Sequence, residues 1–118
     1  MAIIKKKKIK IPVYFGNLIL IKVDKLTDIN KEYELTLGED HQACVFDEMI
    51  KGIHNYIVAF DKTSTDKVIA HECVHLINRL YIDRGIKLDL VNDEHQAYLM
   101  GWFFDECQKF LNNGKKKI

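Results

Sequence analysis

The apolar positions of the chain follow two rhythms, and the change between them falls near the middle. Up to about residue 60 they come in short runs: Ile9 to Phe15, Leu18 to Val23, Ala43 to Phe46 and Tyr56 to Phe60. Runs of this length, rich in β-branched and aromatic residues and bounded by Gly, Asn and Lys, predict strands. Gly16-Asn17 predicts a tight hairpin between the first two, and Lys51-Gly52 lies in the connection between the last two. Pro12 cannot donate a ladder hydrogen bond, so the first strand is placed at a sheet edge. Asp24 to Asp40 is polar and mixed, and reads as a short helix followed by an irregular or extended segment.

Beyond residue 60 the apolar spacing turns helical. Ile69, Cys73, Leu76, Ile77 and Leu80 share one face of a helix over Thr65 to Arg84. Thr63 with Asp66 three residues on suits a capping box, and Gly85 suits a left-handed stop. A second helix is predicted from Asn92, a good N-cap, to about Leu111, with Leu99, Met100, Phe103, Cys107, Phe110 and Leu111 on its apolar face. Strands first and helices second predict an α+β domain. Its sheet is small and mostly antiparallel or mixed, with the two main helices packed on one side.

Composition sharpens this only slightly; charge does more. The 118 residues suffice for one core, and 47% hydrophobic with 30% charged is the profile of a folded globular chain. The net charge of +1 hides an uneven distribution. Lys5 to Lys8 and Lys115 to Lys117 lie at the ends, and without those seven the remainder holds 11 basic and 17 acidic residues. The expectation is a basic tail over residues 1–8, a domain over 9–114 and a second basic tail over 115–118, with no basic surface in the fold itself. Solvated tails without interleaved aromatics predict no specific nucleic-acid partner and no membrane partner. No apolar run reaches the roughly 18 residues of a membrane span, and the N-terminus lacks a signal-peptide apolar stretch. Cys44, Cys73 and Cys107, odd in number and widely spaced, predict reduced thiols and a cytoplasmic location.

The chemistry is carried by His71-Glu72-Cys73-Val74-His75, an HExxH sequence inside the first long helix. Spacing of i and i+4 stacks the two imidazoles one turn apart, within reach of one tetrahedral metal. Glu72 is turned about 100° from His71, beside the metal, where a carboxylate can take a proton from water and pass it to a leaving group. In a shuffled chain of this composition the motif would arise with a probability of about 0.01. Catalytic zinc takes three protein ligands. Glu94, past His75 in the first turn of the next helix, is the preferred third, with Asp93 the rival and His95 a weaker one. Gly101 is expected to let the second helix approach the histidine-bearing one.

With those residues in view, the chain resembles the glutamate-type zincin metallopeptidases, in which HExxH on one helix is completed by a glutamate from the next. The match covers roughly Val45 to Phe110. The segments Ala-His-Glu-Cys-Val-His-Leu-Ile-Asn at 70–78 and Glu-His-Gln-Ala-Tyr-Leu-Met-Gly-Trp at 94–102 are similar to small predicted metallopeptidases of phages and related mobile elements. The resemblance implies a minimal zincin-like domain, with Zn²⁺ held by His71, His75 and Glu94 and with Glu72 as general base and acid. One departure stands out. Thermolysin-like enzymes carry Asn-Glu-x-x-Ser-Asp at the third ligand, and here Tyr98 replaces the aspartate that supports the site. Asp105 or Tyr98 would then support it, and Tyr98, His95, Arg79 and Tyr81 are the candidates for stabilising an oxyanion.

The expected function is hydrolysis of peptide bonds through a metal-activated water. A peptide or protein substrate would add to an edge strand, either Ala43 to Phe46 or Tyr56 to Phe60. The alternative is a zinc-binding regulatory or interaction module with little activity. At this length no second cleft wall fits, so either the cleft is open or a partner chain completes it. His41 and His54 read as ordinary polar positions, Cys73 as a core residue and Trp102 as a packing residue.

Overall fold

The computed structural model describes residues 3–38 and 40–112, so Lys115 to Lys117 and the expected C-terminal tail lie outside the described residues. Four strands form one mixed sheet in the order β1-β2-β4-β3: β1 (Ile3–Lys10), β2 (Asn17–Val23), β3 (Ala43–Ile50) and β4 (Ile53–Asp61). Strands β1 and β2 pair antiparallel, β2 and β4 parallel, β3 and β4 antiparallel. A 3-10 turn (Leu26–Ile29) leads into a short helix, α1 (Asn30–Tyr33), and two long helices follow, α2 (Asp66–Arg84) and α3 (Glu94–Asn112). The α+β class, the mixed sheet and the two main helices agree with the sequence reading.

The central pair explains the strongest apolar runs. Leu18, Leu20, Ile21 and Val23 of β2 and Tyr56 to Phe60 of β4 are buried, as parallel strands covered on both faces must be. On one face, Leu18, Leu20, Tyr56, Val58 and Phe60 pack against α2 and α3, chiefly Cys73, Leu76, Leu80, Phe103 and Cys107. On the other, Ile21, Val23, Ile57 and Ala59 are covered by Leu26 and Ile29 of the 3-10 turn. The polar segment after β2 therefore caps a second, smaller core. Its few apolar residues are too sparse along the chain to reveal that role.

The first hairpin departs most from expectation. Strand β1 is not Ile9 to Phe15 but Ile3–Lys10, so Lys5 to Lys8 form a sheet edge rather than a tail. The residues expected to continue the strand instead form the connection. Pro12 lacks an N–H to donate. Val13 and Gly16 both take positive φ, and the Ile11 N–H closes the loop onto the Gly16 carbonyl at 3.1 Å. A Cβ on Gly16 would fall 2.8 Å from the His54 carbonyl oxygen, so glycine is required there. Lysine stems are long enough to lie along the sheet while their charges stay in water, and this lets a polar run pair as a strand. The second hairpin follows its sequence. Lys51 and Gly52 both take positive φ, as a two-residue turn with the twist of the flanking strands demands.

Helix α2 runs from Asp66 to Arg84, close to the expected span, but its N-cap is the extended Thr65 and not Thr63. The Thr63 hydroxyl is drawn instead to Asp61 Oδ1 at 2.7 Å. Gly85 ends the helix in the left-handed region. The Ile86 N–H is bonded to the Tyr81 carbonyl at 2.9 Å, a Schellman-type stop. Helix α3 begins at Glu94, slightly later than the Asn92 cap predicts. None of the helices described is long and apolar enough to cross a membrane.

Candidate metal centre

The buried face of α2 grips the sheet with Ile69, Cys73, Leu76 and Leu80, while His71 and His75 point outward. Their Nε2 atoms stand 3.3 Å apart, the rings edge to face with centroids 5.0 Å apart. One residue round the helix, Glu72 is tucked inward with its side chain only 8% exposed. Its Oε2 lies 3.9 Å from His71 Nε2. Burial pushes the Glu72 carboxyl above its ordinary range, while His71, His75 and His41 pull the other way. Burial is the largest of these influences, so the carboxyl holds its proton more readily than a solvated glutamate does.

The edge strand β3 runs beside this stripe. Arg79, one turn past His75, donates from Nη1 to Asp47 Oδ1 of β3 at 2.6 Å. Further on, Asp83 Oδ2 lies 3.4 Å from His54 Nδ1 and accepts from the Tyr56 hydroxyl at 2.7 Å. Burial, with Asp83 adding to it, pushes the Tyr56 phenol up. Asp47, His54 and Asp83 bring ligand-type atoms within 4.8 Å of one another, the one such trio among the described residues. Each carboxylate there already has a partner, so the trio acts as a polar clasp between the end of α2 and the β3–β4 hairpin. His54 is therefore part of a network on a strand, not the isolated loop residue the sequence suggests. The signal for this is present only in the pairing: Asp47 faces Tyr56 across the strands, and His54 lies two residues back on the same face.

The third expected ligand stands apart. Gln108 reaches Asp66 at 3.4 Å, Asp93 lines a cleft with Ile77 and Asn78, and His95 lies against Tyr81, so the two helices run antiparallel. Glu94, the first residue of α3, is exposed. It does not join His71 and His75 in a three-ligand group. Asp93 faces Asn78 across that cleft, and His95 stacks on Tyr81 at 5.8 Å between centroids. Gly101 is no close-approach point, because a Cβ there would meet nothing within 4 Å.

The supporting residues divide in the same way. Tyr98, 77% exposed, lines a cavity of about 380 Å³ with His95, Trp102 and the Pro12–Tyr14 loop, on another side of α3. Asp105 pairs with Lys109 at 2.9 Å. The Tyr81 hydroxyl is buried without a hydrogen-bond partner. Of the candidates for an oxyanion, Arg79 alone shares the stripe with the histidines. The edge strand beside the site is β3, which carries Ala43 to Phe46; Tyr56 to Phe60 is central. Cys73 is a core residue, and none of the three cysteines is bridged.

No protein-family model, no curated protein and no solved structure matches the chain.

Proposed function

We propose that the protein is a zinc-dependent metallopeptidase whose metal is held by His71 and His75, with Glu94 as the third ligand. One observation carries the reading. A tetrahedral zinc with Zn–N bonds of about 2.0–2.1 Å needs donors about 3.3–3.4 Å apart, and the two Nε2 atoms are separated by 3.3 Å. Zinc in such a site polarises a carbonyl and makes water acidic enough to attack it near neutral pH. Glu72, turned less than half-way round the helix from both histidines, takes the proton from the attacking water. It then delivers that proton to the amine nitrogen as the peptide C–N bond breaks. The free edge of β3 offers main-chain hydrogen bonds to an extended substrate laid beside the histidine stripe. Arg79, past His75, lies at the end of that stripe with its charge paired to Asp47.

As the third ligand, Glu94 would require the first turn of α3 to shift toward His75. Its distance from the pair favours a second reading, a zinc-binding interaction module completed by a partner chain. The two separate in one experiment. With zinc supplied, wild type hydrolyses a mixed peptide library and Glu72→Gln binds the same zinc without hydrolysis. Equal zinc binding with no hydrolysis by either protein, across the library, favours the module.

A further inference from the structure

We propose that the lysine-rich strand β1 binds the phosphate backbone of nucleic acid without regard to base sequence. Lys5, Lys6, Lys7, Lys8 and Lys10 fill five of the eight positions of a strand at the end of the sheet. Guarding an edge against another strand takes few charges, and this edge concentrates them at a cost. Lys5 stands directly across from Lys22, a like-charge pair that weakens the sheet. Burial, with repulsion from Lys22 and Lys7, lowers the Lys5 pKa. No ion pair found among the described residues engages a lysine of β1, whereas Lys62, Arg79 and Lys109 are all paired with aspartates.

The array is also held in shape. Lys5 Nζ donates to the Phe110 carbonyl and lies over the Phe110 ring, 4.9 Å from its centroid. Lys6 Nζ donates to the Tyr33 hydroxyl at 3.0 Å. Lys7, Lys8 and Lys10 are exposed. Glu32 and Glu48 act on Lys6 from a distance. At about 3.3 Å per residue the lysines from Lys5 to Lys10 span roughly 17 Å, with Lys6, Lys8 and Lys10 on one face of the strand and Lys5 and Lys7 on the other. A phosphate backbone is likewise a line of charge, with an axial rise of about 3.4 Å per strand. A bilayer is a plane and would reach the lysines of one sheet face at a time. Exposed Val13 and Phe15 at the end of the hairpin make an anionic bilayer the arm to exclude.

The test is fluorescence anisotropy with labelled single strands and duplexes of unrelated sequence, about 20 residues long, titrated from about 20 to 200 mM KCl. Binding at low salt should be independent of sequence, with log K falling linearly against log salt. The variant Lys6→Gln/Lys8→Gln/Lys10→Gln should lose about 2 to 3 from that slope, at about 0.7–0.9 per phosphate contact, with circular dichroism unchanged. If that variant misfolds, Lys8→Gln and Lys10→Gln singly should each lose about 0.7–0.9. Four results overturn the proposal: no binding at the lowest salt, an unchanged slope in folded β1 variants, a slope carried by Lys115 to Lys117 instead, or binding to phosphatidylserine vesicles without binding to DNA.

Discussion

At one edge of the sheet, β1 sets five lysines along eight positions, and the free side of the strand repels another strand. At the other edge, Ala43 to Phe46 of β3 carry no charge, and Asp47 is neutralised by Arg79. One edge is closed to strand addition by charge; the other is open and lies beside His71, His75 and Glu72. On the proposed function, that difference would direct an extended substrate to a single side of the sheet. It also shows that the lysine run has a place in the fold, not outside it.

The largest effect should come from removing what both edges share. Phe60 of β4 is fully buried beneath α2 and α3. Phe60→Ala should lower the free energy of unfolding by about 3–5 kcal/mol, read from urea denaturation, and both edges should lose order together. A loss under about 1 kcal/mol would mean that the central pair does not hold the sheet. Next comes the closed edge itself. Lys6→Thr/Lys8→Thr keeps strand propensity and removes two charges, so the protein should self-associate in sedimentation velocity where wild type does not. A variant that stays monomeric at every concentration would show that charge is not what closes β1.

The clasp at the open edge gives a smaller, pH-dependent signal. Tyr56→Phe removes a hydroxyl bonded to Asp83 and should cost about 1 kcal/mol. Because the folded pKa of Tyr56 is raised above that of the unfolded phenol, its contribution is fully present below about pH 10. It is lost as pH rises further, when the unfolded chain ionises first. The alkaline decline in stability should therefore be shallower in Tyr56→Phe than in wild type. Smallest of all is Arg79→Ala. The pair it makes with Asp47 is partly exposed, and its loss should cost at most about 1 kcal/mol, measured by thermal unfolding. A larger cost would mean that the pair anchors β3 to α2.

What can be read from the sequence follows from the range of each interaction. The buried β4 run, the Lys51-Gly52 turn, the Gly85 stop and the apolar face of α2 are set by local rules, and all four are legible. The HExxH geometry follows from helical spacing alone, and Cys73 reads correctly as core. The misreadings involve long-range partners. Lys5 to Lys8 read as a tail because their pairing partners lie across the hairpin on β2 and on α3 at Phe110. Glu94, proposed as the third ligand, stands apart from His71 and His75, a separation set by the packing of α3 against α2 that spacing along the chain does not encode. The Asp47–His54–Asp83 clasp joins three elements and leaves no local pattern in the sequence.

The most direct test of the central claim is zinc stoichiometry by equilibrium dialysis and elemental analysis, on wild type and on His71→Ala/His75→Ala. Both histidines are exposed, so the double variant should keep its fold and unfold at nearly the same temperature as the metal-free wild type. Wild type should take up close to one zinc per chain and the variant essentially none. Folded wild-type protein that takes up no zinc, or a variant that binds it as well as wild type, would contradict the account.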